Sequence, residues 1–125
     1  MARIILVEDD ELIIDIASDA LSAAGHLVTA VSDGAAAHDA VRAAVPDAVV
    51  LDCGLPGRSG MAVLRLLKTD PDTARIPVMM LTARRSSWHL GLARAEGASD
   101  YLSKPFEPCE LVSRVEQLVH GDGAA

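Results

Sequence analysis

Two hydrophobic rhythms alternate along this chain. Short, largely apolar runs at 3–7, 26–31, 48–51, 78–81 and 100–102 have the length of strands. Several are continuous and lack the strict alternation of a half-exposed sheet, so they predict parallel strands covered by helices on both faces. Between them, apolar residues recur at helical spacing. Leu12, Ile13, Ile16, Ala17, Ala20, Leu21 and Ala24 form one face of a first helix, with Glu11, Asp15, Ser18, Asp19 and Ser22 opposite. Ala37, Ala40, Val41, Ala44 and Val45 mark a second helix, stopped by Pro46. Met61, Leu64 and Leu67 mark a third over about 60–69, before the loop Asp70-Pro71-Asp72. A fourth, roughly 87–96, has the weakest periodicity. The last places Leu111, Val112, Val115, Leu118 and Val119 inward and Glu110, Arg114, Glu116 and Gln117 outward. Five βα units in about 120 residues imply right-handed crossovers and an α/β, doubly wound sheet.

Composition narrows the class. At 125 residues and 13.1 kDa the chain makes one domain, able to bury roughly two thirds of its unfolded surface. No apolar run approaches the ~20 residues of a membrane span, and acidic residues follow the first strand too closely for a signal peptide, so a soluble cytoplasmic protein is expected. The formal net charge of −7 argues against direct contact with nucleic acid, whose phosphates attract cations. Aromatic residues are only 2% of the chain, which makes the core aliphatic. Cys53 and Cys109 have neither disulfide nor zinc spacing and are expected to be reduced, mostly buried thiols. His26, His38, His89 and His120 share no spacing and are expected at the surface.

In doubly wound sheets ligands bind beyond the carboxyl ends of the strands. Those ends carry Glu8 and Asp9 after the first strand, Asp52 after the third, Thr82 after the fourth and Lys104 after the fifth. Singly, each has a plain explanation: Asp9 or Asp10 as a helix cap, Asp52 as a turn residue, Lys104 as a solvated charge. Together they differ, because neighbouring carboxylates at one sheet edge need protons or a cation to compensate them. Oxygen ligands without soft partners favour a hard ion such as Mg²⁺, which commonly bridges to phosphate oxygens. A carboxylate beside such an ion can attack phosphorus, with Thr82 and Lys104 donating to the transferring group.

Taken together, Ile5-Leu6-Val7-Glu8-Asp9-Asp10, Val50-Leu51-Asp52 with Leu55-Pro56-Gly57 and Gly60, Leu81-Thr82-Ala83, and Gly97-Ala98-Ser99-Asp100-Tyr101-Leu102-Ser103-Lys104-Pro105-Phe106 resemble the receiver domain of two-component response regulators, of the single-domain, chemotaxis-regulator-like kind. The resemblance covers residues 1–120 as the receiver domain and leaves 121–125 as a short flexible tail. It implies a flavodoxin-like (βα)5 three-layer sandwich with parallel strand order 2-1-3-4-5. It further implies that Asp52 accepts a phosphoryl group from a phosphohistidine on a histidine kinase or histidine phosphotransfer protein. Asp9 and Asp52 would bind Mg²⁺ directly, Glu8 through water, and Gly54 through its carbonyl. Thr82 and Lys104 would hold the phosphoryl group, and Tyr101 would be the aromatic switch that turns inward as Thr82 moves. Pro105 would follow a cis peptide bond. A downstream protein target would read the face made by the expected fourth helix, the fifth strand and the last helix, and a phosphorylation-dependent homodimer is one further output.

Two positions depart from the commonest pattern of that family. Gly54, two after Asp52, replaces a larger side chain and is expected to leave the site open; Arg84, two after Thr82, is expected to cover the phosphate or to pair with an acidic partner. Cys53 is expected to point away from Asp52 into a helix-packed layer, by strand alternation. Trp88, the single tryptophan, is expected beside the switch loop. The economical reading is a stand-alone receiver, a phosphorylation-activated switch in protein affinity, with a piece of a longer regulator as the other reading. It is a signalling domain in which only self-dephosphorylation is expected as turnover. Two alternatives stand beside it. One is a Mg²⁺-dependent aspartyl-phosphate phosphatase or phosphotransferase resembling the haloacid dehalogenase class, against which Gly54 supplies no second acid. The other is a degenerate receiver that works without phosphorylation.

Overall fold

The computed structural model describes residues 1–55, 57–83 and 94–120. Its elements run β1 (Arg3–Val7), α1 (Glu11–Ala23), β2 (Leu27–Val31), α2 (Gly34–Ala44), β3 (Ala48–Asp52), α3 (Gly60–Thr69), β4 (Val78–Thr82), β5 (Asp100–Ser103) and a C-terminal helix α4 (Pro108–Val119). All strand pairs are parallel, in the order β2-β1-β3-β4-β5. The flavodoxin-like sandwich is therefore the fold. The helix expected over 87–96 falls largely outside the described residues, of which Arg94 and Ala95 are helical.

Alternation along the strands builds two cores. Ile5, Val7, Val49, Leu51, Val78 and Met80 face one side with Ala37 and Val41 of α2 and Val63, Leu64 and Leu67 of α3. Ile4, Leu6, Ala48, Val50, Met79 and Leu81 face the other with Ala17 and Leu21 of α1 and Leu111 and Val115 of α4. Nearly every strand residue of β1, β3 and β4 is buried, which is why these segments read as unbroken apolar runs. β2, at the sheet edge, exposes Leu27 at 53%.

The strands overrun their apolar runs. β3 includes Asp52, β4 includes Thr82 and β5 includes Ser103, because the ladder pairs Asp52 with Leu81 and Thr82 with Ser103 whatever their polarity. β2 begins one residue late, since the N–H of His26 is used to bond Leu21 O around Gly25, whose φ of +94° closes α1. The inward face of α1 is narrower than expected: Leu12 is 67% and Ile16 39% exposed, while Ile13 and Ile14 pack on the core. Val45 is 51% exposed because it is the left-handed cap of α2 rather than part of its buried face.

The histidines correct the surface expectation. His26 Nδ1 accepts from Ala2 N at 3.1 Å while Nε2 lies 2.9 Å from Glu116, tying β1 to α4. His38 Nε2 lies 2.8 Å from Asp70 Oδ2, tying α2 to the end of α3. His120 is exposed, and His89 lies outside the described residues. The Asp72 N–H holds the Asp70 carboxyl below its ordinary range, with His38 and Arg42 adding to the effect. A carboxylate whose folded pKa is depressed contributes stability above its unfolded value and loses it as pH falls through the folded one. Asp70→Asn should therefore flatten the decline of melting temperature below about pH 3.8, read by melts across the acid range.

One glycine sets the distance between α3 and the end of β3. A Cβ on Gly60 would collide with the backbone oxygen of Asp52, whereas a Cβ on Gly54 would meet nothing within 4 Å. Gly60→Ala is expected to cost about 1–3 kcal/mol in urea unfolding, as overpacking does, with Gly54→Ala much closer to neutral.

Candidate acidic phosphoacceptor site

The carboxyl ends of β1, β3, β4 and β5 enclose a cleft of about 410 Å³ lined by Glu8, Asp9, Asp10, Asp52, Cys53, Gly54, Thr82, Ala83 and Lys104. Every expected ligand and phosphoryl contact is thus brought to one place, while Tyr101 stands apart from the cleft lining.

The chain reverses direction at Glu8. Its Oε2 accepts from the N–H groups of Asp9 and Asp10 at 3.1 and 3.2 Å, and Asp10 Oδ1 accepts from Leu12 N and Ile13 N as the cap of α1. Asp10 thereby takes the capping role, and Asp9 is left for the cleft. Asp52 Oδ1 accepts from Gly54 N at 3.2 Å and from Lys104 Nζ at 2.9 Å. Lys104 reaches the site from the end of β5, where its peptide bond to Pro105 is cis. Its Nζ also lies 2.8 Å from Glu8 Oε1.

Burial is the dominant electrostatic influence. It pushes the Glu8 carboxyl above its ordinary range, against the Lys104 ammonium and the Asp10 N–H and with help from the Asp52 charge. Burial likewise opposes the charge on Lys104, but its two carboxylate partners outweigh it and raise the ammonium pKa. Among the described residues, one cation thus faces two buried carboxylates and the exposed Asp9.

The group fits a hard divalent cation. One carboxylate oxygen each from Glu8, Asp9 and Asp52 lies within 4.8 Å of the others. Glu8 Oε1 is buried with Lys104 Nζ 2.8 Å away as its partner, so among the described residues one ammonium is set against three carboxylates, an all-oxygen donor set short of positive charge. Saturating Mg²⁺ should raise the melting temperature, with a stabilisation of about 2.7 kcal/mol at a hundred times the dissociation constant. Asp9→Asn should shrink that shift in a thermal titration.

Cys53 follows the alternation argument: with Val49 and Leu51 it packs on the α2/α3 core, its N–H still bonds Leu81 O, and it also borders the cleft. Burial and the Asp52 charge push its thiol up, against a hydrogen bond with Thr82. Cys109 is exposed on the first turn of α4 rather than buried, and both thiols are free. Arg84, Arg85 and Trp88 lie outside the described residues.

The sequence matches the family described as response regulator receiver domain over residues 4–116. The chain belongs to the response regulator receiver family. It is 40% identical over 113 residues to the DNA-binding response regulator MtrA of Mycolicibacterium paratuberculosis, covering 90% of this chain and 49% of that protein. The chain spans about half the length of the curated relatives it matches. The receiver domain of the sensor histidine kinase PA1611 from Pseudomonas aeruginosa, solved with a magnesium ion coordinated in its active-site cleft, superposes with a TM-score of 0.88 at 29% identity, covering 95% of this chain and 98% of that one. The receiver domain of the Francisella response regulator 1452 superposes with a TM-score of 0.90 at 26% identity over 98% of this chain and 99% of that one.

Receiver domains are signalling domains of two-component systems, and this membership overturns the phosphatase alternative. Among the described residues no helix is long and apolar enough to cross a membrane.

Proposed function

We propose that this receiver is a phosphorylation-activated switch whose acceptor is Asp52. The observation that carries the reading is the convergence on Asp52 of the Lys104 ammonium at 2.9 Å and of two further carboxylates, Glu8 and Asp9, with oxygens of all three within 4.8 Å of one another. A carboxylate oxygen of Asp52 attacks the phosphorus of a phosphohistidine presented by a histidine kinase or phosphotransfer protein. The new O–P bond forms as the P–N bond breaks, and the electron pair leaves with the imidazole nitrogen. Asp9, Asp52 and the Gly54 carbonyl hold Mg²⁺ in this reading, with Glu8 acting through water. When bound, the ion offsets the charge of carboxylates and phosphoryl oxygens brought together. Lys104 and the Thr82 hydroxyl donate to the transferred group.

The bond between Thr82 and Cys53 has to yield as Thr82 turns to the phosphoryl oxygens. Tyr101 then follows, biasing a pre-existing equilibrium between two shapes that a protein target distinguishes. The target docks on the face that includes β5 and α4, and a homodimer formed on phosphorylation is another outcome of the same switch. Among the described residues nothing lies within 4 Å of where a Cβ on Gly54 would stand, which favours loss of the phosphoryl group to water and hence a short-lived signal. The net charge of −7 makes a protein, rather than nucleic acid, the direct partner of this chain. Incubation with Mg²⁺ and acetyl phosphate should add the mass of one phosphoryl group. A chain that gains nothing under these conditions, or from a phosphorylated histidine donor, is a receiver working without phosphorylation.

A further inference from the structure

Outside the cleft, one contact on β5 is not explained by the chemistry of the acceptor. Arg94 Nη2 donates to the hydroxyl of Tyr101 at 2.7 Å, and the same guanidinium carbon lies 5.4 Å from the centroid of the tyrosine ring. The surrounding residues are pinned. Glu96, two residues beyond Arg94, receives two hydrogen bonds from Arg65 of α3, each at 3.1 Å. On the other side, Arg114 of α4 donates to Tyr101 O and to Asp100 Oδ1, both at 3.0 Å, and Asp100 Oδ1 also accepts from Tyr101 N at 2.8 Å. The backbone of Tyr101 is therefore fixed from α4, and the segment bearing Arg94 is fixed from α3. The tyrosine ring itself packs against the α2/α3 core, and Arg94 holds its hydroxyl and its face.

From this arrangement we infer that Arg94 is a positioning residue that latches the Tyr101 ring in its present orientation and so sets the threshold at which the switch responds to phosphorylation. The inference rests on the reading of Asp52 as acceptor and Tyr101 as switch. The hydrogen bond needs the hydroxyl where it is, and the cation–π contact needs the ring face where it is, so turning the ring breaks both together. A contact made in only one of two conformers lowers the population of the other, and by linkage it weakens any ligand that favours that other conformer by the same factor.

Tyr101 is the only tyrosine, so a chain grown with 3-fluorotyrosine gives one ¹⁹F resonance reporting on this ring. Wild type, Arg94→Ala, Arg94→Lys and Asp52→Asn would be titrated with beryllofluoride in the presence of Mg²⁺. Arg94→Ala should move the free-state resonance toward the position that wild type reaches only with beryllofluoride, and should bind it roughly three- to tenfold more tightly. Arg94→Lys, which keeps a cation without the planar fork, should fall between the two. Unlabelled Tyr101→Phe, which keeps the ring but not the hydroxyl, should also bind more tightly than wild type, and serves if Arg94→Ala does not fold. An unchanged resonance with unchanged or weaker affinity in the Arg94 variants, while wild type binds and Asp52→Asn does not, overturns the latch alone. A wild type that ignores beryllofluoride overturns the acceptor reading and the latch with it.

Discussion

Asp52→Asn is expected to abolish phosphoryl incorporation completely while leaving a chain at least as stable as the wild type without metal. The amide oxygen is too weak a nucleophile to displace a phosphoryl group, and among Glu8, Asp9 and Asp52 only Asp52 is placed against both Lys104 and the Gly54 N–H. Removing its charge also removes one of the influences that raise the Glu8 carboxyl, so the free variant carries less repulsion. Intact mass after acetyl phosphate treatment and a melting curve on the same sample separate lost chemistry from lost folding. A variant that still gains a phosphoryl mass moves the acceptor elsewhere; one that melts well below wild type makes the substitution uninformative about repulsion but not about mass.

Lys104→Ala has the second largest expected effect, and it falls on stability as well as chemistry. Glu8 and Asp52 side chains are 1% and 8% exposed, and this ammonium is their shared partner. Truncating one member of a buried ion pair leaves the other charge uncompensated, at a cost of about 3 kcal/mol. Sign matters here: without Lys104 the Glu8 pKa rises further, so the variant should lose more stability at neutral pH than at acid pH, where the carboxyl is protonated. Mg²⁺ should recover part of the loss. Phosphoryl uptake should slow by about a hundredfold even with the metal present, as when one donor to a developing oxyanion is removed. Urea unfolding at two pH values, with and without Mg²⁺, and the time course of mass gain read these effects.

Much of this geometry is visible in the sequence because parallel strands expose their chemistry only at their carboxyl ends. Once 3–7, 48–51, 78–81 and 100–102 are taken as strands, Glu8, Asp52, Thr82 and Lys104 follow as neighbours, and the structure places them in one cleft. What escaped detection is set by local backbone or by distant partners. Leu12 and Ile16 satisfy helical periodicity but sit on the rim of the buried stripe of α1, so spacing alone misplaces them. His26 and His38 find Glu116 and Asp70 at separations of 90 and 32 residues, which no local pattern encodes. Arg94 gives no sequence signal at all: its contact with Tyr101 exists only because the backbone before β5 brings the two side chains together.

The two N–H bonds accepted by Glu8 Oε2, together with the cap made by Asp10, join the acidic cluster to the first turn of α1 in one continuous hydrogen-bonded path. Loading of the cluster therefore has a readout far from any phosphate: amide protons at the start of that helix should exchange with deuterium more slowly when the ion is present. A substitution at residue 10 that loosens the cap should in turn weaken affinity for the ion, although its own carboxylate is not a ligand in this reading.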